Sequence, residues 1–217
     1  MKLDLDIDEI KRYINYEGKL DEITKSTVNK AVKLVEETVR PKYVLNYFPI
    51  KIEDSKIEVE KTIISWESNS LAKHLENCHS VVLLLVTLGS DLDQLIKRLE
   101  ITDISLAFVV NAVAGEYLEK YIDYIQDNEI NSTGYLTSRF SIGYGDLDIE
   151  YQDDFVKVLE GAKRIGINVL PSHLMVPSKS VSAIIGLSDK PVNNDLSKCP
   201  NCLTNGKCSG KCIERNV

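Results

Sequence analysis

Positive charge is in short supply: 26 Lys and Arg stand against 33 Asp and Glu, a formal net charge of −7. A polyphosphate lattice selects for a basic face, so the deficit argues against a nucleic-acid partner. Long apolar runs are missing too. The most hydrophobic stretch, SVVLLLVTLGS at 80–90, is too short to cross a bilayer and reads as a buried strand. The opening MKLDLDIDEI has neither the basic flank nor the apolar core of a secretion signal. No membrane association and a cytoplasmic location are therefore expected. Histidine is scarce, and His74, His79 and His173 lie too far apart to form a ligand motif, so structural roles are expected of them. No nucleophile–base–acid triad stands out, and there is no internal repeat.

What remains is an ordinary globular composition in 217 residues, enough to bury a substantial core. LDEITKSTVNKAVKLVEETVRP places Val28, Ala31, Val32, Val35 and Val39 at helical spacing, with Leu34 widening the apolar face and Pro41 ending the run. YVLNYFPI and KIEVEKTIISW read as a β-rich stretch, and SNS as a cap for a short helix bearing Leu71, Leu75 and Cys78. Ser90 with Asp93 forms a capping-box pattern before Leu92, Leu95, Ile96 and Leu99. A long helix is expected over 104–126, and another from Glu150 carrying Phe155, Val156, Leu159 and Ala162 to a cap at Gly166. LMVPSKSVSAIIGLS reads as strand, turn and strand. Helices and strands do not alternate regularly, so the expected class is α+β with a mainly antiparallel twisted sheet and packed helices. Residues 1–188 are assigned to this domain, and 189–217 to a polar linker with a cysteine-rich tail.

One short stretch between helices, RFSIGYGD at 139–146, concentrates chemistry. Arg139 offers a planar fork of donors for a carboxylate or phosphate. Gly143 and Gly145 open backbone conformations closed to other residues and allow close approach to the main chain. Tyr144 adds an aromatic face and a hydroxyl. The same residues also suit a plain strand running into a turn. Asp146, Asp148 and Glu150 read as a solvated helix start rather than as catalytic carboxylates.

With its surroundings, this stretch resembles the activation domain of vitamin B12-dependent methionine synthase. That family's Arg-x-x-Pro-Gly-Tyr loop is matched by Arg139, Gly143 and Tyr144, its helix ending in Ile-Gly by Ile165 and Gly166, and its Pro-x-x-Ser-Val-Ser strand entry by Pro177, Ser180, Val181 and Ser182. LLVTLGSDLD and AGEYLEKYI look like the preceding strand and helix of the compact, free-standing members, so the resemblance covers Val81 to Gly186. It implies S-adenosylmethionine binding, with Arg139 on the methionine carboxylate, Gly143 and Tyr144 on the cofactor, and the Ser141 backbone at the adenine. The family's helix glutamate before Tyr-Leu is matched by Glu116, which is equally well spaced for an i,i+4 pair with Lys120. Ile142 replaces the family's proline, and the tryptophan-rich opening of the full-length enzyme is missing.

The implied activity is reductive reactivation, in trans, of a corrinoid methyltransferase, most naturally a split methionine synthase serving methionine biosynthesis. A corrinoid oxidised to Co(II) would recover its methyl form from one electron and the methyl group of S-adenosylmethionine. The chain's share is orientation, with no acid or base required. Cobalamin would come with the partner's own module, and the electron from a donor such as flavodoxin or ferredoxin. His173, before the Pro177 turn, is the histidine that could face the corrinoid.

Cysteine is the last unevenness. Cys78 stands alone as a small buried hydrophobe, while Cys199, Cys202, Cys208 and Cys212 form C-x2-C-x5-C-x3-C in the last nineteen residues. Four thiolates so close can wrap one metal: zinc in a closed tetrahedral site, or an iron–sulfur cluster able to pass electrons. The spacing fits both. Two other functions stay open at this point: an electron-passing module that binds a corrinoid protein without S-adenosylmethionine, and a zinc-tailed interaction protein.

Overall fold

The computed structural model describes residues 3–132 and 134–192. Cys199, Cys202, Cys208 and Cys212 lie outside the described residues. In chain order the elements are α1 (Ile7–Tyr13), α2 (Glu22–Thr38), β1 (Lys42–Glu53), β2 (Lys56–Val59), β3 (Ser65–Glu67), α3 (Asn69–His74), β4 (Ser80–Thr87) and α4 (Ser90–Thr102). They continue with α5 (Ile104–Glu129), β5 (Tyr135–Leu136), a 3-10 turn (Ile149–Tyr151), α6 (Gln152–Val158), α7 (Gly161–Ile165), β6 (Asn168–Val169), β7 (Met175–Val176) and β8 (Ser180–Ser188). Six strands form one sheet in the order β3-β2-β1-β4-β8-β5, and β6-β7 is a separate hairpin. The pairings β1–β2, β2–β3, β5–β8 and β6–β7 are antiparallel, in keeping with the α+β expectation.

The chain divides into two units. The first takes the chain up to Val44, Leu85–Asn131 and Glu160–Val181; the second takes Leu45–Leu84, Ser132–Leu159 and the chain from Ser182. In the first, α5 is the hub against which α1, α2 and α4 pack. Its long apolar face buries Val110, Val113, Ala114, Ile122 and Ile125, and α2 contributes Val28, Ala31 and Val35 at the expected spacing. Among the described residues no helix is long and apolar enough to cross a membrane. In the second unit, β1, β2 and β3 form a meander whose register sets Ile52 opposite Ile57 and Ile57 opposite Trp66. Trp66 stacks on Phe155 of α6, with ring centroids 6.5 Å apart. Replacing a buried ring such as Phe155 with Ala typically costs about 3–5 kcal/mol. Seven consecutive residues of β4 are buried, the signature of a strand covered on both faces.

The β-rich stretch KIEVEKTIISW holds two strands, β2 and the start of β3, with Lys61 at φ +62 in the turn that folds β3 back on β2. Three expectations need correction. The helix from Glu150 breaks into α6 and α7 at Glu160, whose φ of +52 interrupts the ladder, although Gly166 does cap α7 with φ +77. Cys78 lies beyond the end of α3, half-buried rather than on the helix face. Ser90 and Asp93 do not form a capping box: α4 starts after Gly89, whose φ is +88, with no side-chain cap.

Candidate functional site

Arg139, Ser141, Gly143 and Tyr144 lie in the second unit, Arg139 immediately before the bridge at Phe140 and the other three on the loop between that bridge and the 3-10 turn at Ile149. The loop is a pair of tight turns: the Tyr144 N–H donates to the Ser141 carbonyl and the Leu147 N–H to the Tyr144 carbonyl, both at 3.1 Å. Such turns need positive φ, supplied by Gly143 at +83 and Gly145 at +60. A Cβ on Gly143 would stand 2.9 Å from Ile149 Cδ1, and one on Gly145 2.9 Å from Ser70 Oγ. The protein's own packing therefore accounts for both glycines. Ile142, at the position of the family's proline, is buried and anchors the loop from below. Arg139 is half-buried.

Aromatic rings support the loop. His74 and Phe140 are 5.3 Å apart, and the edge of Phe140 meets Tyr144 at 5.5 Å. Tyr144 ends this row 44% exposed, with ring surface open to a flat partner. His74 Nε2 lies 2.8 Å from the Ser138 carbonyl, which can only accept, so Nε2 carries the proton. Burial holds the His74 pKa below the ordinary imidazole value despite that bond, keeping the ring neutral. His79 pairs locally with Ser80 Oγ at 3.0 Å, and His173 occupies the β6–β7 turn with φ +62.

Asp146 is the residue whose role the sequence concealed. It is exposed, yet its carboxylate accepts the Asn69 N–H at 2.9 Å, the Ser70 N–H at 3.0 Å and the Ser68 hydroxyl. The Ser68 hydroxyl bond and the two amides hold its pKa far below the usual carboxylate range. It is a long-range helix cap rather than a solvated helix start. Asp148 does serve locally, accepting the Glu150 N–H at 2.9 Å. No periodicity or spacing could have linked Asp146 to residues so far upstream.

Glu116 belongs to the first unit, buried on α5. Its carboxylate accepts the Asp6 N–H at 3.1 Å and stands 4.0 Å from Lys120 Nζ, the helical pair that its spacing suggested. Asp6 is in turn the N-cap of α1, so Glu116 fixes the start of that helix. Among the described residues no group of three or more His, Cys, Asp or Glu side chains is disposed to hold a metal ion.

Strand order, helices and glycine loop together define an α+β domain of the activation-domain fold. The solved structure that carries this statement is the MetH reactivation domain bound to AdoHcy: it is 18% identical, superposes with a TM-score of 0.67, and the match covers 87% of this chain and 75% of that one. No protein-family model matches the chain, and no curated protein does.

Proposed function

We propose that this chain binds S-adenosylmethionine on the loop 139–146 and uses it to reactivate a corrinoid methyltransferase in trans. The observation that carries the reading is the shared fold, across most of the chain, with a domain whose structure was solved with AdoHcy, the demethylated form of that cofactor. The loop's donor set fits such a ligand. The half-buried Arg139 guanidinium suits the amino-acid carboxylate, the Gly143 and Ser141 backbone the approach of a base, and the exposed Tyr144 ring its flat face. When bound, the ligand supplies a sulfonium methyl for the partner's cobalt, with one electron from a separate donor such as flavodoxin or ferredoxin. The chain binds and orients: an anchored carboxylate and a stacked base leave the sulfonium methyl with few accessible directions. No proton needs to move at any side chain, consistent with a loop without a poised acid or base.

The partner in this reading is a cobalamin-binding module of methionine synthase or a related methyltransferase. The cysteines at 199, 202, 208 and 212 form a separate tail after residue 188 that holds zinc or an iron–sulfur cluster; their spacing supports a metal without choosing between these.

The test is calorimetric titration of the anaerobically purified chain with S-adenosylmethionine, beside its ultraviolet–visible spectrum. Saturable one-to-one binding is expected. A folded protein without binding refutes the reading. An iron–sulfur spectrum in that case points to the electron-passing module, and bound zinc without visible absorbance to the interaction protein.

A further inference from the structure

α3 has only six residues, too few to be stable as an isolated helix. Its first three N–H groups nevertheless all have acceptors: Leu71 donates to Ser68 Oγ at 3.0 Å, and Asn69 and Ser70 donate to the Asp146 carboxylate. Ser68 Oγ donates its own proton to Asp146 as well. The last residue of the same helix, His74, reaches the other end of the loop through the Ser138 carbonyl and the Phe140 ring. Between these two attachments the loop lies flush on the helix, since a Cβ on Gly145 would come within 3.0 Å of Ser70 Cβ.

We propose that Asp146 is a positioning residue for the ligand loop, fixing the Gly143–Tyr144–Gly145 backbone in the binding form by tying it to the N-terminus of α3. This rests on the ligand reading above, with Asp146 acting through the backbone and not on the ligand itself. Two glycines in three residues make the loop costly to order, because glycine loses the most conformational freedom. A ligand that had to order the loop itself would bind correspondingly less tightly. The carboxylate stays ionised across the physiological range, its acidity strengthened first by the Ser68 hydroxyl, so the tie does not depend on ordinary changes of pH.

The experiment uses the full chain with Asp146→Ala and Asp146→Asn, and it has two readouts. The first is amide hydrogen exchange without ligand. Asp146→Ala should raise exchange at Tyr144 and Leu147, whose N–H groups close the two turns, while exchange in α5 stays as in wild type. The second is S-adenosylmethionine affinity, expected to fall at least tenfold in Asp146→Ala with a partial recovery in Asp146→Asn, which keeps one acceptor oxygen. Unchanged exchange at Tyr144 and Leu147, or wild-type affinity in Asp146→Ala, overturns the proposal. A wild-type chain that does not bind, with exchange raised in the variant, refutes the ligand reading while leaving Asp146 as the residue that holds the loop. Asp146→Asn preserves a capping side chain, so both readouts survive if the alanine variant fails to fold.

Discussion

Ser178 donates both its backbone N–H and its hydroxyl to the carboxylate of Asp93, at 2.9 and 2.5 Å. The carboxylate that a capping-box pattern would turn back onto α4 is thus spent on the turn into β8. Neighbouring bonds reinforce that turn: the Leu88 N–H donates to the Lys179 carbonyl at 2.9 Å, and Ser180 Oγ to Thr87 Oγ1 at 2.9 Å. Asp93→Ala should lower stability by about 1.5–3 kcal/mol, the range for a hydrogen bond to a charged group. Ser90→Ala should change it by no more than a few tenths. Chemical denaturation of both variants checks the contrast, and a larger loss from Ser90→Ala would restore the capping box.

Arg139→Ala should weaken S-adenosylmethionine binding at least tenfold with little change in the unfolding midpoint, because a half-buried guanidinium at a loop contributes more to ligand charge than to the core. Parallel calorimetry and thermal unfolding would show it. Equal affinity in wild type and variant removes Arg139 from the site.

Replacing Cys199 and Cys202 with Ser should abolish metal retention, measured by elemental analysis, and spare cofactor binding. Loss of both together would mean that the boundary near residue 188 is misplaced.

Burial pushes the Cys78 thiol up from the ordinary 9.0 to about 11. At pH 8 a shift of that size lowers its thiolate fraction about a hundredfold. In a variant whose four tail cysteines are Ser, alkylation of the native chain should be slow at pH 8 and accelerate about tenfold per pH unit toward 11. The sign for stability follows: the fold favours the neutral thiol, so its contribution is complete below pH 9 and is lost as pH rises through about 11. Rapid labelling at pH 8 would show that the thiol is not shielded.

The elements legible in the sequence are those whose burial repeats with a period. Val28, Ala31 and Val35 mark α2, the apolar face of α5 marks the hub, and the unbroken run at 81–88 marks β4. The cap at Ser68 and the left-handed Gly166 also follow local rules. What stayed hidden depends on partners distant in the chain. Asp93 and Asp146 look like local helix-start residues until Ser178 and Asn69 are brought beside them. Glu160 rather than the neighbouring Gly161 takes the left-handed conformation, and α1 is too short for its periodicity to register. For the candidate site, the loop residues could be picked out by resemblance and the short helix after Ser68 by its cap, while the bonds from Asp146 that join the two carried no mark in the sequence.

The division of the chain has a consequence for heredity. The polypeptide passes from one unit to the other at 44/45, 84/85, 131/132, 159/160 and 181/182. No single cut, and no pair of cuts, yields a gene segment that encodes one unit without part of the other. Any gene segment that carries both the loop and its supporting helix therefore also carries Leu85–Asn131 of the first unit. The partners that Asp146 meets at α3 are encoded some seventy-seven codons upstream, around Asn69, with that stretch of the first unit between them.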